Sequence, residues 1–70
     1  MKVNGAALRA IRTRSGMTGV ELAATSGVDT TVISRLENGH RHGTPAQLLA
    51  IADALRVPVA AIVAAESAVA

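Results

Sequence analysis

Apolar residues recur along the chain at intervals of three and four, which is the period of an amphipathic α-helix. Leu8 and Ile11 share one face of a first helical segment that spans about residues 5–14. The same spacing joins later apolar residues, namely Ile33 and Leu36, then Leu48, Ile51 and Leu55. No segment shows the sustained two-residue alternation of a β-strand. The pattern therefore predicts an all-α, compact bundle of about five short helices.

Capping residues and glycines predict where these helices begin and end. Asn4 and Asp29 are suitable N-caps for the first and third helices. Thr18 and Thr44 each stand three residues before Glu or Gln, which is the spacing of a capping box. They are predicted to open the second and fourth helices. A glycine suited to ending a helix follows each of the first three, at positions 16, 27 and 39.

The last part of the chain is predicted to form a fifth helix that begins at Pro58, because proline is favoured in the first turn. This helix would carry Val59, Ile62 and Val63, which offer more apolar surface than so small a core can bury. We expect one domain over residues 1–70, with a core at about 5–64 and a C-terminal tail at 65–70.

Composition excludes several kinds of site. The 70 residues include no Phe, Tyr, Trp or Cys, so aromatic stacking on unpaired bases, disulfides and thiolate metal sites are excluded. The two histidines, His40 and His42, are too few for a metal cage, and no metal or cofactor is expected. No apolar stretch approaches the roughly 20 residues of a membrane span, and no signal peptide is recognisable. We therefore expect a cytoplasmic protein.

Charge is distributed unevenly although the net value is only +2. The first sixteen residues carry +4, from Lys2, Arg9, Arg12 and Arg14, and the remainder carries three arginines against five acidic residues. A basic end suits a polyanionic partner, but charge alone does not distinguish DNA, RNA and acidic protein.

The second and third helices are joined by a tight turn at Gly27, a sequence typical of two short helices that cross at a steep angle. Such a turn lets the second of the two helices project from the surface. Its residues outside the apolar face are short polar side chains and one long cation, namely Thr30, Thr31, Ser34, Arg35 and Asn38. This face is suited to the major groove, where Arg binds guanine and Ser or Thr binds bases or phosphates.

Four motifs then resemble those of a known family. They are Gly16-Met17-Thr18, Glu21-Leu22-Ala23, Ser26-Gly27-Val28 and Ile33-Ser34-Arg35-Leu36-Glu37-Asn38-Gly39. In this order and spacing they resemble the Cro/C1-type, or XRE-type, helix-turn-helix domain over about residues 5–64. The resemblance implies a lambda-repressor-like DNA-binding fold whose third helix, at about Asp29–Asn38, is the recognition helix.

The resemblance also implies roles for individual residues. Candidate base contacts are Thr30, Thr31, Arg35 and Ser34. Candidate contacts to the DNA backbone are Thr18, Gly19, Val20, Asn38, His40 and Arg41. Arg12 and Glu37 are expected to form a structural ion pair. The chain departs from the family at Gly19, where Gln is frequent, and at Val32, where a hydroxyl residue is common.

The leading hypothesis is a sequence-specific transcriptional regulator that binds double-stranded DNA, most similar to a Cro-like repressor of a phage or mobile element or to a small chromosomal repressor. One such module contacts only a few base pairs, so a homodimer is expected at least on DNA. The candidate dimer contacts are Val59, Ile62 and Val63. No effector domain is recognisable, so no small-molecule effector is expected.

The sequence also bears on two other classes of function. A protein-interaction module, such as an antitoxin or anti-repressor, would use the apolar C-terminal helix to bind its partner, and the fold does not exclude it. An enzyme is disfavoured because the sequence contains no nucleophile–base pair, paired carboxylates or phosphate-binding glycine loop.

Overall fold

The computed structural model describes residues 2–64; Met1 and the predicted tail at 65–70 lie outside the described residues. The chain forms α1 (Gly5–Arg14), α2 (Gly19–Ser26), α3 (Thr30–Glu37) and α4 (Pro45–Leu55), followed by a single 3-10 turn at Val59–Ala61. The prediction of an all-α fold is confirmed. Within residues 2–64, no helix has the length and apolarity needed to cross a membrane.

The helices begin at the predicted caps. The Asn4 side chain accepts a hydrogen bond from the Ala7 amide at 3.1 Å. In the capping box of α2, the Thr18 hydroxyl accepts from the Glu21 amide at 3.1 Å, and the Glu21 carboxylate accepts from the Thr18 amide at 2.8 Å. An equivalent box at Thr44 opens α4. Each N-cap stabilises its helix by about 1 kcal/mol, which is a substantial contribution in so small a domain.

The core is entirely aliphatic and draws on every helix. Among the described residues, no polar or charged side chain is buried. The largest fully buried side chains are Leu8, Leu22, Ile33, Leu36, Leu48, Ile51 and Ile62. Because α3 contributes Ile33 and Leu36 to this core, its opposite face is directed to solvent.

The segment after Pro58 does not form the predicted fifth helix. It makes one 3-10 turn and then pairs with the N-terminal segment, where Val63 and Val3 form an isolated antiparallel bridge. The Asn4 amide donates to the Ile62 carbonyl at 2.8 Å. The β-branched residues here are weak helix formers, and the pairing satisfies backbone groups on both segments.

The same arrangement corrects the role expected of Ile62. Its side chain is fully buried in the core, so it offers no surface to a second protomer. Val59 and Val63 are half-buried and pack against the edge of the core.

At Gly5, the start of α1 packs closely against the end of α3. A β-carbon at this position would lie 2.4 Å from the Leu36 carbonyl oxygen and 2.6 Å from that of Glu37. Both atoms belong to the backbone, so no change of side-chain rotamer could relieve the contact. The absence of a side chain at Gly5 thus allows the start of α1 to pack directly on the end of α3.

An ion pair between Arg12 of α1 and Glu37 of α3 joins the same two helices. Arg12 Nε donates to Glu37 Oε2 at 2.6 Å, and Arg12 Nη2 donates to Glu37 Oε1 at 3.1 Å. The third guanidinium nitrogen donates to the Met17 carbonyl at 2.9 Å, in the turn between α1 and α2. The hydrogen bond to Glu37 raises the pKa of Arg12, against the opposing effect of desolvation. The expected Arg12–Glu37 pair is therefore present, and it connects three segments.

We predict that Glu37→Gln lowers the free energy of unfolding by about 1–3 kcal/mol, because a charged hydrogen-bond acceptor is lost opposite a largely buried guanidinium. A decrease in Tm of about 4–8 °C per kcal/mol is expected for a domain of this size. Glu21→Gln is the matched control, because Gln also completes a capping box. Equal Tm values for both variants in thermal unfolding followed by circular dichroism would contradict the prediction.

We also predict opposite effects for Ala at two glycines that each begin a helix. Gly5→Ala is expected to destabilise the domain by about 1–3 kcal/mol, because its β-carbon overlaps backbone atoms of α3. Gly19→Ala meets nothing within 4 Å and should be neutral or stabilising by up to about 1 kcal/mol. Urea unfolding measures both, and a stabilised Gly5→Ala variant would show that α1 and α3 do not approach this closely.

Candidate nucleic-acid interface

The turn between α2 and α3 sets the direction of α3. Gly27 adopts the left-handed conformation, with φ 78°, and its amide donates to the Ala23 carbonyl at 2.9 Å. A residue with a β-carbon is strained at this φ. Val28 follows directly and is buried, so the chain turns sharply before α3 begins. The two helices therefore form a helix-turn-helix in which α3 lies across α2.

The exposed face of α3 forms one shallow surface depression. Its lining consists of Thr30, Thr31, Ser34, Arg35, Asn38 and His40. All six were predicted to contact DNA bases or backbone, and the structure brings them together. They provide hydroxyl, amide, imidazole and guanidinium groups, and no acidic side chain.

The end of α3 folds back so that His40 reaches this depression. Gly39 adopts a left-handed conformation, and the His40 amide donates to the Arg35 carbonyl at 2.9 Å. This is the bonding of a Schellman motif. The Asn38 side chain also lies along the helix, where Nδ2 donates to the Ser34 carbonyl at 2.9 Å. These hydrogen bonds hold the loop after α3 against the depression on α3.

The other four predicted contact residues lie outside the depression. The Thr18 hydroxyl is engaged in the capping box of α2. Gly19 and Val20 are the first two helical residues, whose amides have no acceptor within the helix. Such amides at the positive end of a helix dipole can bind a phosphate. Arg41 is exposed in the connector after α3.

The charges around α3 are arranged asymmetrically. Arg35 is exposed, and the single ion pair of residues 2–64 is the one between Arg12 and Glu37. Arg35 thus has no acidic partner in this part of the chain. Glu37, at the end of α3, is neutralised by Arg12. The depression on α3 presents an unpaired cation together with hydroxyl, amide and imidazole groups, which suits a polyanionic ligand that carries further donors and acceptors. The exposed carboxylate of Asp29 lies outside its lining.

Asp29, which the sequence predicts to be a helix cap, also lies in this region. Asp29 immediately precedes Thr30 and is exposed, and its Oδ2 accepts a hydrogen bond from the Thr31 amide at 3.0 Å. Its position at the start of the recognition helix was visible in the sequence and marks it as a further candidate. No group of three or more His, Cys, Asp or Glu side chains within residues 2–64 could hold a metal ion.

The comparisons with known proteins agree with this geometry. The sequence profile of the helix-turn-helix family HTH_3 matches residues 8–62. No curated protein sequence matches the chain significantly. Among solved structures, the restriction-modification controller protein C.AhdI from Aeromonas hydrophila is similar, with a TM-score of 0.79 and 32% identity over 81% of this chain and 86% of that one.

Two further structures are similar to this chain. The clp gene regulator ClgR from Corynebacterium glutamicum has a TM-score of 0.75 and 39% identity over 80% of this chain and 72% of that one. The restriction-modification controller protein C.Esp1396I has a TM-score of 0.72 and 35% identity over 77% of this chain and 70% of that one. A profile match across most of the chain, with the helix-turn-helix geometry at α2 and α3, shows that this protein belongs to the HTH_3 family of helix-turn-helix regulators.

Proposed function

We propose that the protein is a sequence-specific regulator of transcription that binds double-stranded DNA by placing α3 in the major groove. The observation that carries this proposal is the depression on α3, where Arg35 has no acidic partner and is surrounded by neutral hydrogen-bonding side chains. A helix face that only contacts water has no need of a cation grouped with so many donors and acceptors. A DNA groove has phosphates at its walls and base edges at its floor, so a protein that binds there needs both a cation and hydrogen-bonding side chains.

The proposed base contacts come from one face of α3. Arg35 can donate two hydrogen bonds to O6 and N7 of guanine, which is the most common specific contact between protein and DNA. The hydroxyls of Thr30, Thr31 and Ser34 can donate or accept, and the threonine methyl groups can contact the methyl group of thymine. These residues would therefore determine which sequence is bound.

The proposed backbone contacts lie on both sides of that face. The amides at the start of α2 would bind one phosphate, and the loop after α3 would bind another. The residues concerned are Thr18, Gly19, Val20, Asn38, His40 and Arg41. Gly19 contributes only its amide, in contrast to the longer Gln that is frequent there in the family.

The relatives indicate the class of process. The similar structures include controller proteins of restriction-modification systems and a regulator of clp genes, and we place this chain among such regulators rather than among enzymes. We propose that it represses, as a Cro-like protein does, because occupying a promoter is sufficient to block it. We propose that this activity takes place in the cytoplasm, where bacterial and phage operators lie, and that it needs neither a cofactor nor a small-molecule effector.

We further propose that the protein binds its operator as a homodimer. One recognition helix contacts only a few base pairs, so two half-sites about 34–36 Å apart would supply the remaining affinity and specificity. The proposed contact between protomers includes Val59 and Val63, which are half-buried at the edge of the core. A short operator with paired half-sites follows from this arrangement.

The first prediction from this proposal separates base recognition from phosphate binding. Arg35→Ala is expected to reduce affinity for the selected operator by about 5- to 150-fold, and to relax the sequence preference at a guanine, because a bidentate contact is lost. Arg41→Ala should weaken binding to all sequences alike and reduce the salt dependence by about one phosphate contact. Selection from a random duplex library, followed by binding titrations at several salt concentrations, measures both effects.

The control for charge alone is Arg9→Ala, an exposed arginine of α1 that lies outside the depression. It should leave the selected motif unchanged. If the wild-type protein selects no motif at near-physiological salt, the proposal of a sequence-specific regulator is wrong. The alternative of a protein-interaction module, such as an antitoxin or anti-repressor, would then be pursued through the apolar C-terminal segment.

A second prediction concerns the dimer. Val59→Glu is expected to weaken binding to a two-half-site operator at least ten-fold, because it introduces charge at the proposed contact, while affinity for a single half-site stays unchanged. Leu49→Glu is the comparison, because Leu49 of α4 is one of two large apolar side chains that are strongly exposed in the described chain. Analytical ultracentrifugation measures how many protomers bind each operator, and so shows which of the two variants disrupts the dimer. A loss confined to Leu49→Glu would move the interface to α4, and one protomer per operator would exclude the dimer.

A further inference from the structure

Asp29 performs a structural task with only part of its side chain. Its Oδ2 caps α3 by accepting from the Thr31 amide at 3.0 Å, and the residue is exposed. No cation of residues 2–64 lies within ion-pairing distance of this carboxylate. A carboxylate can accept at two oxygens with about four lone-pair sites. Asp29 therefore retains acceptor capacity at the very start of α3.

The capping role does not require a negative charge. Asn and Ser cap helices about as well as Asp does, and they are neutral. On a surface that binds a polyanion, an uncompensated carboxylate repels the phosphates and lowers affinity for every sequence. The helix dipole favours a negative charge at this end of α3 by about 0.3–1 kcal/mol, but the same charge opposes non-specific binding to DNA.

Asp29 lies beside the residues proposed to contact the base edges. In a helix-turn-helix, the N-terminal residues of the recognition helix contact bases in the major groove. Asp29 immediately precedes Thr30 and Thr31, which line the depression. Among the groups exposed in the major groove, a carboxylate can accept only from the amino groups of cytosine and adenine, and its typical partner is N4 of cytosine.

Asp29 and Arg35 would read different base pairs. Six residues separate them, which corresponds to about 9 Å along a helix axis at about 1.5 Å per residue. Base pairs succeed one another at about 3.4 Å along the DNA. Asp29 and Arg35 are thus far enough apart to contact different base pairs. Asp29 can only accept hydrogen bonds from a base, whereas Arg35 can only donate them.

We propose that Asp29 is a specificity-determining residue, whose carboxylate accepts a hydrogen bond from the amino group of a cytosine at one position of each half-site. Guanine and thymine present only acceptors at their own edges there, and the carboxylate repels them. The proposal rests on the proposed function, because it assumes that α3 enters the major groove. In this proposal, Asp29 favours one base at one position and lowers the affinity of the protein for all other DNA sequences.

The test is the Asp29→Asn variant, which keeps the side-chain shape and the helix cap. Wild-type protein is expected to select cytosine at one position that is distinct from the guanine lost in Arg35→Ala. The variant should lose this preference by about 5- to 100-fold and favour adenine, whose N6 and N7 match an amide. It should also bind unrelated duplex DNA more tightly, because a negative charge is removed.

Two further variants complete the experiment. Asp53→Asn makes the same change on an exposed residue of α4 and should leave the selected motif unchanged. Asp29→Ser keeps a cap without an amide or a charge, so the preference for cytosine should disappear without a new one for adenine. Thermal unfolding tests whether each Asp29 variant is folded. If Asp29→Asn does not fold, the loss of the cytosine preference is tested with Asp29→Ser alone.

The outcomes distinguish this proposal from the one on which it rests. If wild-type protein selects a motif and both Asp29 variants select the same one, Asp29 does not determine specificity, although the regulator proposal stands. If wild-type protein selects no motif, both proposals fail together. A change confined to one position of the motif supports the assignment of Asp29.

Discussion

The contact of Arg12 with Glu37 and with the Met17 carbonyl is the interaction on which the arrangement of α1, α2 and α3 depends. A single guanidinium joins the last turn of α1, the turn that leads into α2, and the end of α3. The amides that begin α2 and the loop that ends α3 are thereby held at a constant separation. A duplex presents its phosphates at regular intervals, so a protein that binds two of them gains from having this separation set before the DNA arrives.

The need for such a contact follows from the small size of the core. A domain of this length buries only about 60% of the surface of its unfolded chain, and this one has no aromatic side chain to enlarge the buried area. Hydrogen bonds at the helix ends add stability that the small apolar core does not provide. Every α-helix has a side-chain cap, two of them complete capping boxes. Because these bonds lie at helix ends, they also determine where each functional segment begins.

The acidic residues at the two ends of α3 have opposite roles. Glu37 lies largely buried beside Arg12, so its charge is neutralised within the protein. Asp29 remains exposed, and its Oδ2 accepts from the Thr31 amide. If both were exposed, the helix would carry two uncompensated charges toward a polyanion. The fold thus removes one negative charge from the surface and leaves the other exposed at the start of α3, where we propose that it accepts a hydrogen bond from a base.

Local signals in the sequence were sufficient for the four α-helices, their caps and the Gly27 turn, because each depends on residues within one or two helical turns. Helical periodicity also predicted the exposed face of α3, with Thr30, Thr31, Ser34, Arg35 and Asn38, and the family resemblance added His40. The family resemblance supplied the Arg12–Glu37 pair. The same periodicity failed after Pro58, where spacing suited to a helix belongs to a 3-10 turn and a bridge to Val3. That bridge, the burial of Ile62 and the approach of Gly5 to α3 depend on which distant segments meet, and only packing in three dimensions decides this.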